Sequence, residues 1–501
     1  MKTKTICLII PPSVFLLDER VTPSGGILTI AAVLERAGVP LEVLDLSGLT
    51  DFEIAVSDYV KNNPNILTFG ITSTTAQMPK THDVVREIRT VRRNAKLILG
   101  GPHVTSVNTA LRSETNNGIK HGRARKAMGQ LFETFDVLVA GDGEKAIFTA
   151  LEDNAPRLID ADDVHSPLYQ KSEDLETVPF PARHLIDISS YMLLVDGEPA
   201  LSLIAQLGCP FGCRFCGMRN SPSFRIIRTR STERIVEEME HMYRTTGRKG
   251  FMFQDDELNV NKNVIELMDR ITLLQKKLGV KFTIRGFIKS ELFTDDQAQA
   301  MHRAGLRWIL TGFESGSPEI LKVINKKATR EQNTECVAIA HRNGIKVKAL
   351  MSIGHPGESK ETVHATRDWL LQMKPADFDV TIITPYPGTP YYDEAKPVQG
   401  ELGLWIYSDP KTGAKLYQHE VDYSRIANYY KGDPNDGYHS HVFTDTLTPT
   451  DIVKIRGDVE KEVRHTLKIP FYARATTSLR YETSMGQFGR LPPNIWKQSA
   501  S

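Results

Sequence analysis

Short apolar runs of strand length recur along this chain, each followed by a helical stretch, in two separate blocks. In the first block they fall at 5–10, 41–46, 66–72, 96–100 and 137–140. Between the third and fourth, Val84, Val85, Ile88 and Val91 share one stripe of a helix. Strands alternating with helices at this spacing build βαβ units, which gives an α/β fold with a doubly wound parallel sheet at the N-terminus. The second block, 201–206, 250–254, 281–285, 308–312, 346–353 and 379–384, supplies six more strands and predicts a partial (β/α)6 barrel. Residues 151–195 are polar and broken by Pro156, Pro167, Pro179 and Pro181, the composition of a linker. The last stretch is rich in aromatics but lacks regular alternation, as an irregular C-terminal cap would. The expected units are therefore 1–150, 151–195, 196–395 and 396–501.

A chain of 501 residues exceeds one core and fits about three domains at roughly 150 residues each. Its formal charge of +1 provides no general field for nucleic acid or an anionic membrane, so neither partner is expected. No apolar run approaches the ~20 residues of a membrane span. The opening Met1-Lys2-Thr3-Lys4 and the apolar run after it are interrupted by Pro11-Pro12 and by charges at 18–20. They read as a first strand rather than a signal peptide. Five cysteines, an odd number, form no disulfide framework, and a cytoplasmic setting with reduced thiols is expected.

Doubly wound sheets bind ligands at the carboxyl ends of their strands. Those ends carry Gly70-Ile71-Thr72-Ser73-Thr74-Thr75, Gly100-Gly101-Pro102-His103 and Gly141-Asp142-Gly143-Glu144. A single such loop needs glycine only to turn. Three on one rim suggest a backbone-lined pocket for a large flat or phosphate-bearing ligand.

The decisive segment follows the first strand of the second block. Cys209, Cys213 and Cys216 stand as C-x₃-C-x₂-C, with Gly208 and Gly212 allowing a tight path. Thiolates so spaced can converge on one iron–sulfur cluster. A structural zinc site would need a fourth ligand, and no second Cys/His pair is spaced to give it. Cys7 and Cys336 read as small core residues, too few for a second four-cysteine cluster.

The spacing, with Phe215 before the third cysteine, resembles the radical S-adenosylmethionine (radical SAM) superfamily. The similarity continues through Phe253-Gln254-Asp255-Asp256-Glu257, Gly312-Phe313-Glu314-Ser315-Gly316, Gly354-His355-Pro356-Gly357-Glu358 and Thr384-Pro385-Tyr386-Pro387-Gly388-Thr389-Pro390. It implies a 4Fe–4S cluster on the three cysteines, whose open iron chelates S-adenosylmethionine and whose electron releases a 5′-deoxyadenosyl radical. The implied cofactor contacts are Phe215, Gln254, Asp255, Asp256, Arg285, Glu314, Ser315, Gly354 and His355, with Arg285 a bidentate partner for a carboxylate.

The N-terminal strand ends, placed upstream of such a barrel, resemble the cobalamin-binding members of that superfamily. By that resemblance Thr72, Ser73, Thr74 and Thr75 face the lower side of cobalt, while Gly100, Gly101, His103, Gly141 and Glu144 line the ring and tail. One departure is plain: at the loop where Asp-x-His-x-x-Gly supplies a cobalt ligand, this chain has Asp45-Leu46-Ser47-Gly48, so a His lower ligand is not expected.

The implied activity is a methyltransferase for unactivated carbon or phosphorus. A substrate radical, formed by hydrogen abstraction, takes a methyl group from methylcobalamin. The alternative keeps both cofactors for a non-methylating cyclisation or ring rearrangement, and a non-enzymatic sensor is the rival of another class. An external low-potential reductant of flavodoxin or ferredoxin type is implied. The substrate, whether small molecule, lipid or peptide, stays open. So does the role of Arg225, Arg228 and Arg230, which suit either an anionic substrate group or solvent. Trp405, Tyr407, Tyr429, Tyr430, Tyr438 and Phe443 suit either a substrate pocket or packing of the cap.

Overall fold

A computed structural model describes residues 5–13, 20–217, 219–429, 438–470 and 495–499. Residues 1–4 and Tyr430 lie outside the described residues. The first sheet runs through β1 (Ile6–Ile10), β2 (Leu41–Asp45), β3 (Thr68–Thr72), β4 (Lys96–Gly100), β5 (Val137–Gly141) and β6 (Leu158–Ala161). All are parallel, in the order 2-1-3-4-5-6. Helices cover both faces, which is why β1 and β2 are buried along their whole length and read as continuous apolar runs rather than alternating ones. The strand order reverses between β1 and β3, the switch point where such sheets bind ligands.

Two strands extend this sheet beyond expectation. β6 lies within the stretch read as linker, where Leu-Ile-Asp-Ala is short and its neighbours polar. A C-terminal strand, Trp496–Gln498, joins β2 antiparallel, Glu42 opposite Gln498.

The second sheet begins with β7 (Leu194–Val195), antiparallel to β8 (Glu198–Leu203). After β8 comes a small hairpin, β9 (Gln206–Leu207) with β10 (Arg228–Thr229), that spans the cysteine loop. The sheet continues through β11 (Gly250–Phe253), β12 (Thr283–Phe287), β13 (Leu306–Glu314), β14 (Lys346–Ile353) and β15 (Asp377–Ile382). These are parallel to β8 and curl into a half barrel. The outer face packs Leu201, Leu203, Phe251, Phe253, Ile284 and Ile309 under the helices as the main core. Inside, Ala200, Met252 and Leu310 meet Val21, Leu193 and Val195 from the segments before the barrel.

The C-terminal region holds more regular structure than its pattern suggested. β16 (Lys396–Pro397), β17 (Leu404–Ser408), β18 (Lys415–His419) and β19 (Val442–Phe443) form an antiparallel sheet. The 19-residue helix Pro449–Leu467 then seals the edge of β15: Arg456 donates to the Val380 carbonyl (2.9 Å) and Arg464 to that of Phe378 (2.8 Å). Among the described residues no helix is long and apolar enough to cross a membrane.

Candidate active site

The cysteine loop leaves β9 through Gly208, whose φ is +91°. A Cβ there would stand 2.2 Å from the Ile226 carbonyl oxygen, so only glycine fits. At the far side a turn is joined to the loop: Arg214 N–H donates to the Ile324 carbonyl (3.0 Å), and the Asn325 amide donates to that of Gly212 (2.8 Å). Cys213 is buried, Cys209 half-buried and Cys216 exposed. Burial pushes the Cys209 thiol up to about 12 and raises that of Cys213. Buried Lys326 and Lys289 oppose the rise at Cys213. Among the described residues no three His, Cys, Asp or Glu side chains converge tightly enough for a single metal ion. Three thiols spread over one glycine-bearing loop, with two buried cations beside it, fit a polynuclear iron–sulfur cluster better than a closed tetrahedral centre.

Around this loop stand the ends of the barrel strands. Glu314 closes β13 in the left-handed region, φ +67°. Its Oε1 lies 3.3 Å from Lys326 Nζ, and its Oε2 accepts from Ser352 Oγ (2.8 Å). Ser352 Oγ also meets His355 Nε2 at 2.8 Å, and the His355 ring lies 5.5 Å from that of Phe215. Burial brings the His355 pKa down to about 3, so its imidazole is neutral at pH 7. Gly354 has φ +89°, and the N–H groups of Gly354 and His355 donate to Glu358 Oε2 (2.6 and 3.0 Å). Phe215, Glu314, Gly354 and His355 thus sit together beside the cysteines.

Gln254 and Asp256 are exposed at the end of β11, while Arg285, on the inner face of β12, donates to Met252 Sδ (3.1 Å). Two residues expected to contact S-adenosylmethionine are turned to other partners. The buried Asp255 carboxylate accepts from the N–H groups of Ala205 (3.0 Å) and Gln206 (2.7 Å), clamping the end of β8 to that of β11. Ser315 is buried and hydrogen-bonds Thr366 Oγ1 (3.1 Å) and Ser317 N–H (3.1 Å). A buried polar group takes the nearest free partner, and strand ends leave free backbone N–H groups.

At the switch point of the first sheet lies a cavity of about 510 Å³. Thr72, Thr74, Gly100, Gly101, Gly141 and Glu144 line it on the sheet side. Ser223 and Phe224, on the return of the cysteine loop, and Gln254 of the barrel line it from across. A Cβ on Gly141 (φ +84°) would lie 2.4 Å from Asp162 N. Burial moves the Glu144 carboxyl up to about 7. Ser73 and Thr75, which lie past the end of β3, are not among the lining residues, and neither is His103. Ser73 Oγ meets Thr81 Oγ1 (3.0 Å), and His103 Nδ1 meets Thr75 Oγ1 (3.1 Å) in a buried pocket that lowers the His103 pKa to about 3.

Sequence reasoning missed several lining and supporting residues. Ser24, Gly25 and Gly26, where helix Gly25–Arg36 begins, line the cavity; Pro-Ser-Gly-Gly before an apolar helix was the available signal. Lys289, Lys326 and Ser352 gave none, since a lone lysine or serine reads as surface. The three arginines turn out to be ties. Arg228, ion-paired with Asp142, donates to the carbonyls of Gln170 (2.8 Å) and Ser223 (2.6 Å). Arg230 pairs with Glu238 (2.6 Å), and Arg225 donates to the Phe211 carbonyl. Asp162, just past β6, accepts from Ser221 Oγ (2.5 Å) and Ser223 N–H (2.9 Å). The cysteine loop is thereby fastened to the rim of the N-terminal sheet. Of the cap aromatics, Tyr407 receives a hydrogen bond from Arg214 (2.9 Å), and Tyr429 packs with Tyr386 and Tyr423.

Such an arrangement defines a class of enzyme in which a thiol-bearing barrel mouth faces the ligand-binding rim of a doubly wound sheet. Residues 203–370 match the Radical SAM superfamily and residues 19–132 the B12 binding domain, together more than half of the chain. The chain belongs to the radical SAM enzymes that carry an N-terminal B12-binding domain. It is 29% identical over 405 residues to an uncharacterised methyltransferase of Pyrococcus horikoshii, covering 79% of this chain and 84% of that protein. It is 30% identical over 203 residues to the bacteriochlorophyllide d C-12(1)-methyltransferase of Chlorobaculum tepidum, covering 39% of this chain and 42% of that one. In fold it is similar to the radical S-adenosylmethionine methyltransferase TsrM of Kitasatospora setae, solved with cobalamin and a [4Fe-4S] cluster bound. The TM-score is 0.64 at 17% identity, with 92% of each chain covered.

Proposed function

We propose that this chain is a cobalamin-dependent radical SAM methyltransferase acting on an unactivated carbon or phosphorus centre. The observation that carries the reading is the cavity at the sheet's switch point, walled on its far side by the return of the cysteine loop. When bound, the cluster and corrinoid supply the electron that cleaves S-adenosylmethionine and the carrier for its methyl group.

The chain's own part is to bind, orient and exclude water. Cys209, Cys213 and Cys216 hold the cluster on a loop fixed by Gly208. Phe215, Gln254, Asp256, Arg285, Glu314, Gly354 and His355 form the S-adenosylmethionine site, with Asp255 and Ser315 as its backbone supports. Thr72, Thr74, Gly100, Gly101, Gly141 and Glu144 receive the corrinoid, and Ser73, Thr75 and His103 brace the loops behind them. The units are 1–150, 151–195, 196–395 and 396–501, except that β6, Leu158–Ala161, carries the first unit past residue 150 into the stretch read as linker. A low-potential reductant of flavodoxin or ferredoxin type would feed the cluster, in the cytoplasm. The substrate would be a small molecule, lipid or peptide.

Hydroxocobalamin titration of the reconstituted protein tests the assignment of the cavity. Gly100 has no positive φ and its Cβ would meet only Val139, at 3.9 Å, an ordinary van der Waals contact, so Gly100→Trp enters the cavity without straining the backbone. The expected result is loss of corrinoid binding by at least tenfold with iron content unchanged. Unchanged corrinoid affinity would remove the cavity from the site.

A further inference from the structure

Two lysines, Lys289 and Lys326, are buried beside the cysteine loop. Lys289 is 1% exposed and Lys326 5%. A buried ammonium is costly unless charge and hydrogen bonds compensate it. Lys289 Nζ lies 2.9 Å from Glu291 Oε1, donates to the Lys326 carbonyl (3.2 Å), and stands 4.6 Å from the centroid of the Phe211 ring inside the cysteine loop. Lys326 Nζ meets Glu314 at 3.3 Å. Facing the pair are Cys213 and the half-buried Glu257 carboxyl, which desolvation raises to about 7 and the two lysines pull back.

The position of Lys326 is built from both sides. Its two predecessors are bonded to the cysteine loop, Ile324 through Arg214 N–H and Asn325 through the Gly212 carbonyl. On the other side a Cβ on Gly312 would lie 2.5 Å from Glu314 Oε1 and 3.2 Å from Lys326 Nζ, so a side chain there would displace the ends of this pair. The turn that carries the ammonium is thus held against the loop by one backbone and one side-chain hydrogen bond. Burial works to lower its pKa, but Glu314, Cys213 and Glu257 more than offset this and keep it protonated.

We propose that Lys326, supported by Lys289, is a positioning residue that sets the reduction potential of the cluster: its fixed charge stabilises the added electron and holds Glu314 toward the mouth of the barrel. The step concerned is the uptake of one electron from a low-potential one-electron donor, which takes the cluster from its 2+ to its 1+ state, with no bond made or broken. A positive charge in a poorly screened site favours the more negative product. This inference rests on the cluster assignment above.

The test is a dithionite and Ti(III) citrate titration of the reconstituted full chain, followed by the electron paramagnetic resonance signal of the reduced cluster, without S-adenosylmethionine. For Lys326→Met the reduced-to-oxidised ratio at a fixed potential should fall about tenfold, a downward shift of about 59 mV for a one-electron couple. Lys326→Arg, which keeps the charge, should restore it. An unshifted potential in a cluster-loaded Lys326→Met protein would overturn the proposal. Should that variant not take up iron, Lys289→Gln carries the same test, with a smaller fall expected and no fall counting against it. A native chain that assembles no 4Fe–4S cluster at all would defeat the cluster assignment instead.

Discussion

Glu358 shows how a buried carboxyl can serve a turn and still be sensitive to pH. One oxygen accepts two backbone N–H groups, from Gly354 and His355, yet burial raises its pKa from 4.5 to about 7. With the folded value above the unfolded one, its contribution is best below the unfolded pKa and declines as pH rises through that window. Glu358→Gln keeps an acceptor and removes the ionisation. Relative to the native chain, the variant should gain on the order of 1–3 kcal/mol between pH 4.5 and 7, and no more above it. Urea unfolding of the cluster-free chain across that range reads this directly, and a difference that does not vary with pH would contradict it. At this scale the sequence was legible where chemistry comes in motifs, as with the three cysteines and the Gly-x-Glu-Ser-Gly segment. It was not legible where a residue's meaning depends on what packs against it. Asp255 and Ser315 stand in the right segments but face backbone donors, and Lys326 is defined by a turn more than a hundred residues from the cysteines it serves.

At the scale of elements, the cysteine loop depends on one glycine. Gly208→Ala would place a Cβ against the Ile226 carbonyl in a backbone region that L residues avoid. The expected cost is on the order of 1–3 kcal/mol, concentrated in the loop. Cluster content after reconstitution should fall several-fold while the far-ultraviolet circular dichroism stays native; full iron loading would show the loop to be more adaptable than this. The strands of the first block could be read because parallel strands buried on both faces are continuous apolar runs, and those of the second because short apolar cores recur between helical stretches. β6 escaped because four residues with alternating burial, set among polar and proline-rich neighbours, carry too little pattern. The strand at 496–498 escaped because its partner β2 lies at the opposite end of the chain, and strand pairing over such separation leaves no local trace. The cap helix was missed for a related reason: it is amphipathic, but its role in sealing β15 rests on two arginines that reach strand carbonyls.

At the scale of the whole molecule, methyl transfer by way of a corrinoid requires the sheet rim and the barrel mouth to act as one site. Arg228, 2% exposed, ties them together, joining Asp142 at the sheet rim to the return of the cysteine loop. Removing one partner of a buried pair leaves the other charge uncompensated. Arg228→Ala should destabilise the chain by about 3–5 kcal/mol and weaken corrinoid binding more than cluster binding. Equal loss of both, or of neither, would mean that the two halves are not coupled through this contact. Methyl transfer by way of the corrinoid is read in one experiment, anaerobic incubation of the cluster- and cobalamin-loaded protein with methyl-deuterated S-adenosylmethionine and a low-potential reductant, followed by mass spectrometry. The prediction is deuterated methyl on the corrinoid together with 5′-deoxyadenosine. Deoxyadenosine beside a corrinoid that never acquires the label would contradict methyl transfer and favour a non-methylating rearrangement.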